Sequence, residues 1–170
     1  ILLAKGSVPK IENKSNLTLL KLKKLSPLGM IGGVVAGATL GGIYGLLPIF
    51  AQELNFSIEE IAKVMTLCLF GNLFFQWPIG HLSDKFDRRK VLLIANLTSF
   101  CICMLIGCYK IPTNLFFLLI IVFGGLSFIL YPLSISIASD SVDDKDFIAA
   151  AGHILLAYAA GAIIGPLIAS

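Results

Sequence analysis

Charge is what this sequence has least of. Only 14% of its 170 residues are Asp, Glu, Lys or Arg, against 57% hydrophobic residues and a mean hydropathy of +0.92, which excludes an ordinary soluble domain. Period-two alternation is missing from the apolar runs, and that excludes barrel strands. The four cysteines, Cys68, Cys101, Cys103 and Cys108, all lie inside apolar runs, where cysteine behaves as a small hydrophobe. They offer neither a disulfide framework nor metal-ligand spacing. No catalytic constellation is visible, so the chain reads as no enzyme, with no cofactor, no metal and no nucleic-acid partner.

What is present is a series of long apolar stretches. They cover residues 28–50, 61–79, 91–108, 115–138 and 147–170, each about the 20 residues that carry a helix across a bilayer. Backbone N–H and C=O groups cannot stay unpaired in hydrocarbon, so these stretches must be helices. The expectation is an all-α polytopic membrane bundle of five transmembrane helices over residues 28–170, with the lipid bilayer as its surroundings. Residues 1–27 read as a leader with a basic amphipathic end, in which Leu17, Leu19, Leu20, Leu22 and Leu25 surround Lys21, Lys23 and Lys24 as in a helix lying among headgroups. A plain solvated linker is the alternative before Asn16. Both ends, Ile1 and Ser170, read as cut from something larger.

Lys and Arg sort by connection. Eleven of the 13 fall in the leader, the second connection and the fourth (Lys145), leaving only Lys63 and Lys110 on the other side. The excess places the leader and those two connections in the cytoplasm.

Local signals refine the spans. Ser26-Pro27 suits entry to the first helix, and Pro48 should loosen its last turn. Ser57 and Glu60 have capping-box spacing at the start of the second, where Lys63 can snorkel to the headgroups. Gly29, Gly33, Gly37, Gly41 and Gly45 recur every fourth residue, a smooth strip that admits a neighbouring backbone. Tight packing and a surface for sliding both remain open for it.

The densest charge lies in Gly80-His81-Leu82-Ser83-Asp84-Lys85-Phe86-Asp87-Arg88-Arg89-Lys90, which reads as one short turn holding six charged residues. Gly80, Leu82, Asp84, Lys85, Arg88 and Arg89 match G-x-L-[SA]-D-[RK]-x-G-R-[RK], so the chain resembles the major facilitator superfamily, whose members carry this signature between the second and third helices of each six-helix half. Asp87 stands where the pattern has Gly; Asp tolerates a left-handed turn and adds an acid for a neighbouring arginine. Gly161, Gly165 and Pro166 resemble the family's G-x-x-x-G-P element in a fifth helix. Lys24 to Gly29 and Gln76 to Gly80 resemble a poorly characterised bacterial branch.

The resemblance implies helices seven to eleven of the C-terminal half, residues 1–27 being the central cytoplasmic loop; an N-terminal half is the other possibility. It implies secondary active transport of a small solute by alternating access in a bacterial plasma membrane, with the missing N-terminal half as partner. A transport-inactive scaffold or receptor built on the same helices is the competing reading. It further implies that the charged turn is a gate, Asp84 pairing with the other half and Arg88 with Asp140 at the end of the fourth helix. Tyr131, beside Pro132 at an expected bend, together with His153 and Tyr158, are the candidates for solute or proton contact. For His153, packing and proton relay both stay open.

Overall fold

The computed structural model describes residues 17–169. The linker expected before Asn16, with Lys5, Lys10 and Lys14, lies outside the described residues, as does Ser170. In chain order the elements are α1 (Leu19–Leu25), α2 (Pro27–Gly45), α3 (Leu47–Glu53), α4 (Ile58–Lys85), α5 (Arg88–Cys108), α6 (Thr113–Ser139), a 3-10 turn (Asp144–Asp146) and α7 (Phe147–Ala169), with no strand among the described residues. Four segments are long and apolar enough to cross a membrane: α2, α5, α6 and Asp144–Ala169. The remaining expected span, α4, has 28 residues, about 42 Å at 1.5 Å each. Asn72, Gln76 and Pro78 in its second half, with Glu59, Glu60 and Lys63 in its early turns, keep it out of that group.

Two expected boundaries are corrected. The first span does not run unbroken to residue 50; α2 ends at Gly45 and α3 starts at Leu47. Pro48 has no N–H to give the Tyr44 carbonyl, so the ladder is interrupted a full turn before the proline. The second helix does not stop at Ile79 but continues through Gly80 to Lys85, leaving only Phe86 and Asp87 outside helix. The rise in polarity at Gly80 marks where the apolar stretch ends; backbone bonding carries on past it. Pro132 does not interrupt α6, and Pro27 occupies the first turn of α2.

At the far end from the charged connection, Asn55 (φ 62°) is the one non-glycine residue with positive φ among those described. It turns the chain into a complete capping box, in which the Ser57 N–H donates to Glu60 Oε2 at 2.8 Å and the Glu60 N–H to Ser57 Oγ at 3.3 Å. The Lys63 Nζ lies 4.5 Å from the centre of the Phe117 ring.

The bundle is organised around α2 and α6, with α7 against α2, and α4 and α5 against α6. Between lipid-bathed helices burial of apolar surface drives little, so close packing and polar contacts must supply the cohesion. Leu92, Ala95 and Ile102 of α5 meet Leu126, Ile129, Leu130 and Leu133 of α6. Nearer the capping box, Leu40 and Ile43 pack with Val64, Cys68, Phe116 and Ile120. At the opposite end Leu17 and Leu22 insert beside Ala138, Ala150 and Ile154, whereas Leu20 is 72% exposed. The short helix α1 is thus pinned by Leu22, with Leu17 just before it, and leaves Leu19, Leu20 and Leu25 outward.

Glycines form two seams. A methyl group added to Gly37 would collide with the Tyr158 carbonyl, and one on Gly161 with the carbonyl of Val34; Gly33, Gly41 and Gly165 lie in the same α2/α7 contact. The strip on α2 is not straight, because a step of four residues advances about 40° beyond a full turn. Gly29 accordingly faces α6, with the Ser134 carbonyl 3.1 Å from a would-be Cβ, while Gly45 finds nothing nearer than Pro166 Cβ at 3.9 Å. The second seam, unexpected from the sequence, joins α4 to α6: Gly71 lies against the Ile121 carbonyl, Gly124 against the Cys68 backbone and Gly125 against the Phe75 ring.

Candidate functional site

The last turn of α4, the first of α5 and the end of α6 converge in one joint. Phe86 leaves the helix in an extended conformation, its N–H still donating to the Leu82 carbonyl at 2.9 Å. Asp87 then starts α5: with φ −58° and ψ 112°, its Oδ1 accepts the Arg89 N–H at 2.9 Å. Asp87 is therefore a helix N-cap. It neither adopts a left-handed turn nor pairs with an arginine side chain, since the two-residue link leaves the α5 amides as the nearest donors.

Arg88 is the centre of the joint. Its Nη1 donates to Asp140 Oδ1 at 2.7 Å, and its Nη2 to Asp84 Oδ1 at 3.1 Å. One guanidinium thus ties the end of α4 and the end of α6 to the start of α5. The Asp84 contact crosses the two-residue link, from the last turn of α4 to the first residue of α5. Side-chain exposures are 30% for Arg88, 67% for Asp84 and 58% for Asp140, so each pair is worth up to about 1 kcal/mol and is weakened by salt. Ser83, 6% exposed, donates to the Gly80 carbonyl at 2.7 Å and lines a cavity of about 390 Å³ beside Asp84, Arg88, Asp140 and Ser141.

The other matched residues stand apart from this contact. Lys85 and Arg89 are exposed and in no ion pair among the described residues, Leu82 is 45% exposed, and a Cβ on Gly80 would meet open space. Lys145 pairs with Asp143 at 3.4 Å.

In the middle of the bundle the rings of Tyr131 and Tyr158 lie 5.0 Å apart. His153 does not join them: five residues before Tyr158, it is turned about 140° round α7, and its Nδ1 is buried without a hydrogen-bond partner. A second ring pair went unnoticed in the sequence, Tyr44 with Phe128 at 6.2 Å, edge to face. Spacing within one helix could not reveal it, because it joins α2 to α6. A cavity of about 580 Å³ opens between α2, α5 and α6; Asn96 on its wall donates to the Leu92 carbonyl, and the Ser99 hydroxyl is buried without a partner. Among the described residues no group of three His, Cys, Asp or Glu side chains could hold a metal ion.

Comparison with known proteins gives one family. The model of the Major Facilitator Superfamily matches residues 29–170. The chain is 31% identical over 157 residues to the uncharacterized MFS-type transporter YcaD of Escherichia coli (strain UMN026), a match covering 91% of this chain and 39% of that protein. Identity to YcaD of Escherichia coli (strain HS) is 30% over the same length and shares. The chain spans about two fifths of the length of the curated relatives it matches. No solved structure matches it.

Proposed function

We propose, for a chain that belongs to the major facilitator superfamily, that it forms helices seven to eleven of the C-terminal half of a secondary transporter. That transporter moves a small solute by alternating access against an N-terminal half. The basic end faces the cytoplasm of a bacterial cell, and the joint around Arg88 is a latch that closes that side.

One observation carries the reading: Arg88 holds Asp84 and Asp140 at once. A guanidinium shared by three helix ends must release at least one acid when those ends separate. Contacts of about 1 kcal/mol bias an equilibrium without freezing it, as a transporter visiting both states requires.

Ser83 supplies the test, because it is buried in the joint. In the full-length protein, cleared of native cysteines, Ser83→Cys should react slowly with an impermeant thiol reagent added to inverted vesicles. Adding Arg88→Ala or Asp140→Ala should speed the reaction several-fold. Labelling that is fast from the outset, or slow in all three backgrounds, would rule out the latch.

A further inference from the structure

The two aromatic pairs belong to one face. Phe128 and Tyr131 lie three residues apart on α6 and so share a side of that helix; Phe128 carries the contact to Tyr44 of α2, and Tyr131 the contact to Tyr158 of α7. Four rings from three helices are thereby joined in the central part of the bundle. Tyr44 is 54% exposed, and Phe128, Tyr131 and Tyr158 are partly exposed.

The hydroxyls are the more telling groups. None of Tyr44, Tyr131 and Tyr158 donates or accepts a side-chain hydrogen bond among the described residues, and none of their oxygens is a buried orphan. A phenol hydroxyl facing hydrocarbon without a partner pays the cost of lost hydration with nothing in return. Lipid tails supply neither donor nor acceptor, so three such hydroxyls call for water, a solute or polar groups of the other half. Serines of the same helices behave otherwise: Ser127 and Ser134 each donate to the carbonyl four residues back, both at 2.7 Å.

Charge narrows the ligand. No Asp, Glu, Lys or Arg occurs in residues 25–52, 64–83, 91–109, 111–139 or 147–170. The nearest titratable base, His153, points to another side of α7, and Lys63 is held over Phe117 at the capping-box end. A solute carboxylate or phosphate would find no counter-charge here. Ring faces, in contrast, attract cations and stack on planar rings.

We propose that Tyr44, Phe128, Tyr131 and Tyr158 form the solute-contact surface of this half. It takes an aromatic solute that is uncharged or cationic and carries hydrogen-bonding groups. The assignment rests on the transport reading above, and adds to it a place and a chemical class.

The test uses the full-length protein in nanodiscs and two fluorescent planar probes, the cation ethidium and the anion fluorescein. Ethidium should bind saturably and fluorescein should not. Tyr158→Leu and Tyr131→Leu should each weaken ethidium binding about tenfold, the loss of one ring face, while Tyr131→Phe keeps the ring and should lose only a few-fold. Tyr44→Leu, at a half-exposed ring, keeps the test meaningful should the more buried variants misfold; it too should weaken binding. Absence of saturable ethidium binding, equal binding of fluorescein, or ethidium binding unchanged in Tyr44→Leu overturns the site. The two readings fail separately. Ethidium binding as described with Ser83→Cys labelling deaf to Arg88→Ala removes the latch and keeps the site; responsive labelling without ethidium binding removes the site and keeps the latch.

Discussion

The middle of the bundle and its basic end are held by opposite means. In the glycine seams backbone meets backbone, and a single methyl group at Gly37 or Gly71 has nowhere to go. At the basic end one part-exposed guanidinium reaches two exposed carboxylates, and a change of salt is enough to weaken the contact. The seams therefore make helix pairs that travel together, α2 with α7 and α4 with α6, while the joint sets how their ends are arranged.

The largest effect expected from breaking this comparison lies in the seams. Gly37→Val and Gly71→Val should each remove most folded protein from the membrane, by overpacking that costs about 3 kcal/mol or more; Gly45→Ala and Gly80→Ala, where a Cβ meets no close neighbour, should express like the parent. Detergent-solubilised yield and thermal unfolding on a sizing column measure this, and equal loss at all four positions would refute the seam assignment.

Next in size is the cap. Asp87→Ala should destabilise by about 1 kcal/mol, with Asp87→Ser recovering most of the loss because its hydroxyl can also accept the α5 amide. If Asp87→Ser and Asp87→Ala melt alike, the cap has no energetic role.

The joint should come third. Arg88→Ala and Asp140→Ala should couple by roughly 0.5–1 kcal/mol in a double-mutant cycle at low salt, falling toward zero near 1 M salt. Additive effects at low salt would show that the 2.7 Å contact contributes nothing. Smallest is the opposite end, where Lys63→Met should cost about half a kcal/mol through the lost contact with Phe117. A loss as large as that of Asp87→Ala there would mean that Lys63 does more than sit on a ring.

Much of this was legible in the sequence, and what was not has physical reasons. Apolar runs located the long helices because lipid leaves the backbone no other choice. Ser57 and Glu60 announced their capping box because it is a contact between near neighbours. The end of α4 was misjudged because hydropathy reports the surroundings of a segment and not its hydrogen bonding; Gly80 to Lys85 is polar and helical at once. Asp87 has the residue type of a cap, but the family pattern has Gly at that place, which points to a turn. The α4/α6 seam stayed hidden since Gly71, Gly124 and Gly125 form no repeat, and only the approach of two helices distant in sequence gives them a common purpose. The same holds for Tyr44 and Phe128.

The seams have a mechanical consequence. Helices that interlock through side-chain ridges resist axial displacement until knobs climb out of their holes, a spacing set by the turn of the helix at about 5.4 Å. Where Gly37 faces the Tyr158 carbonyl and Gly161 that of Val34, no knob stands across the contact. Carbonyls on one side of a helix also recur only about every 5.4 Å, and those of Tyr158 and Val34 sit in the notches left by glycines that lack a Cβ. Such a pair behaves as a notched joint, held by backbone seated against backbone with no rotamer between to give way.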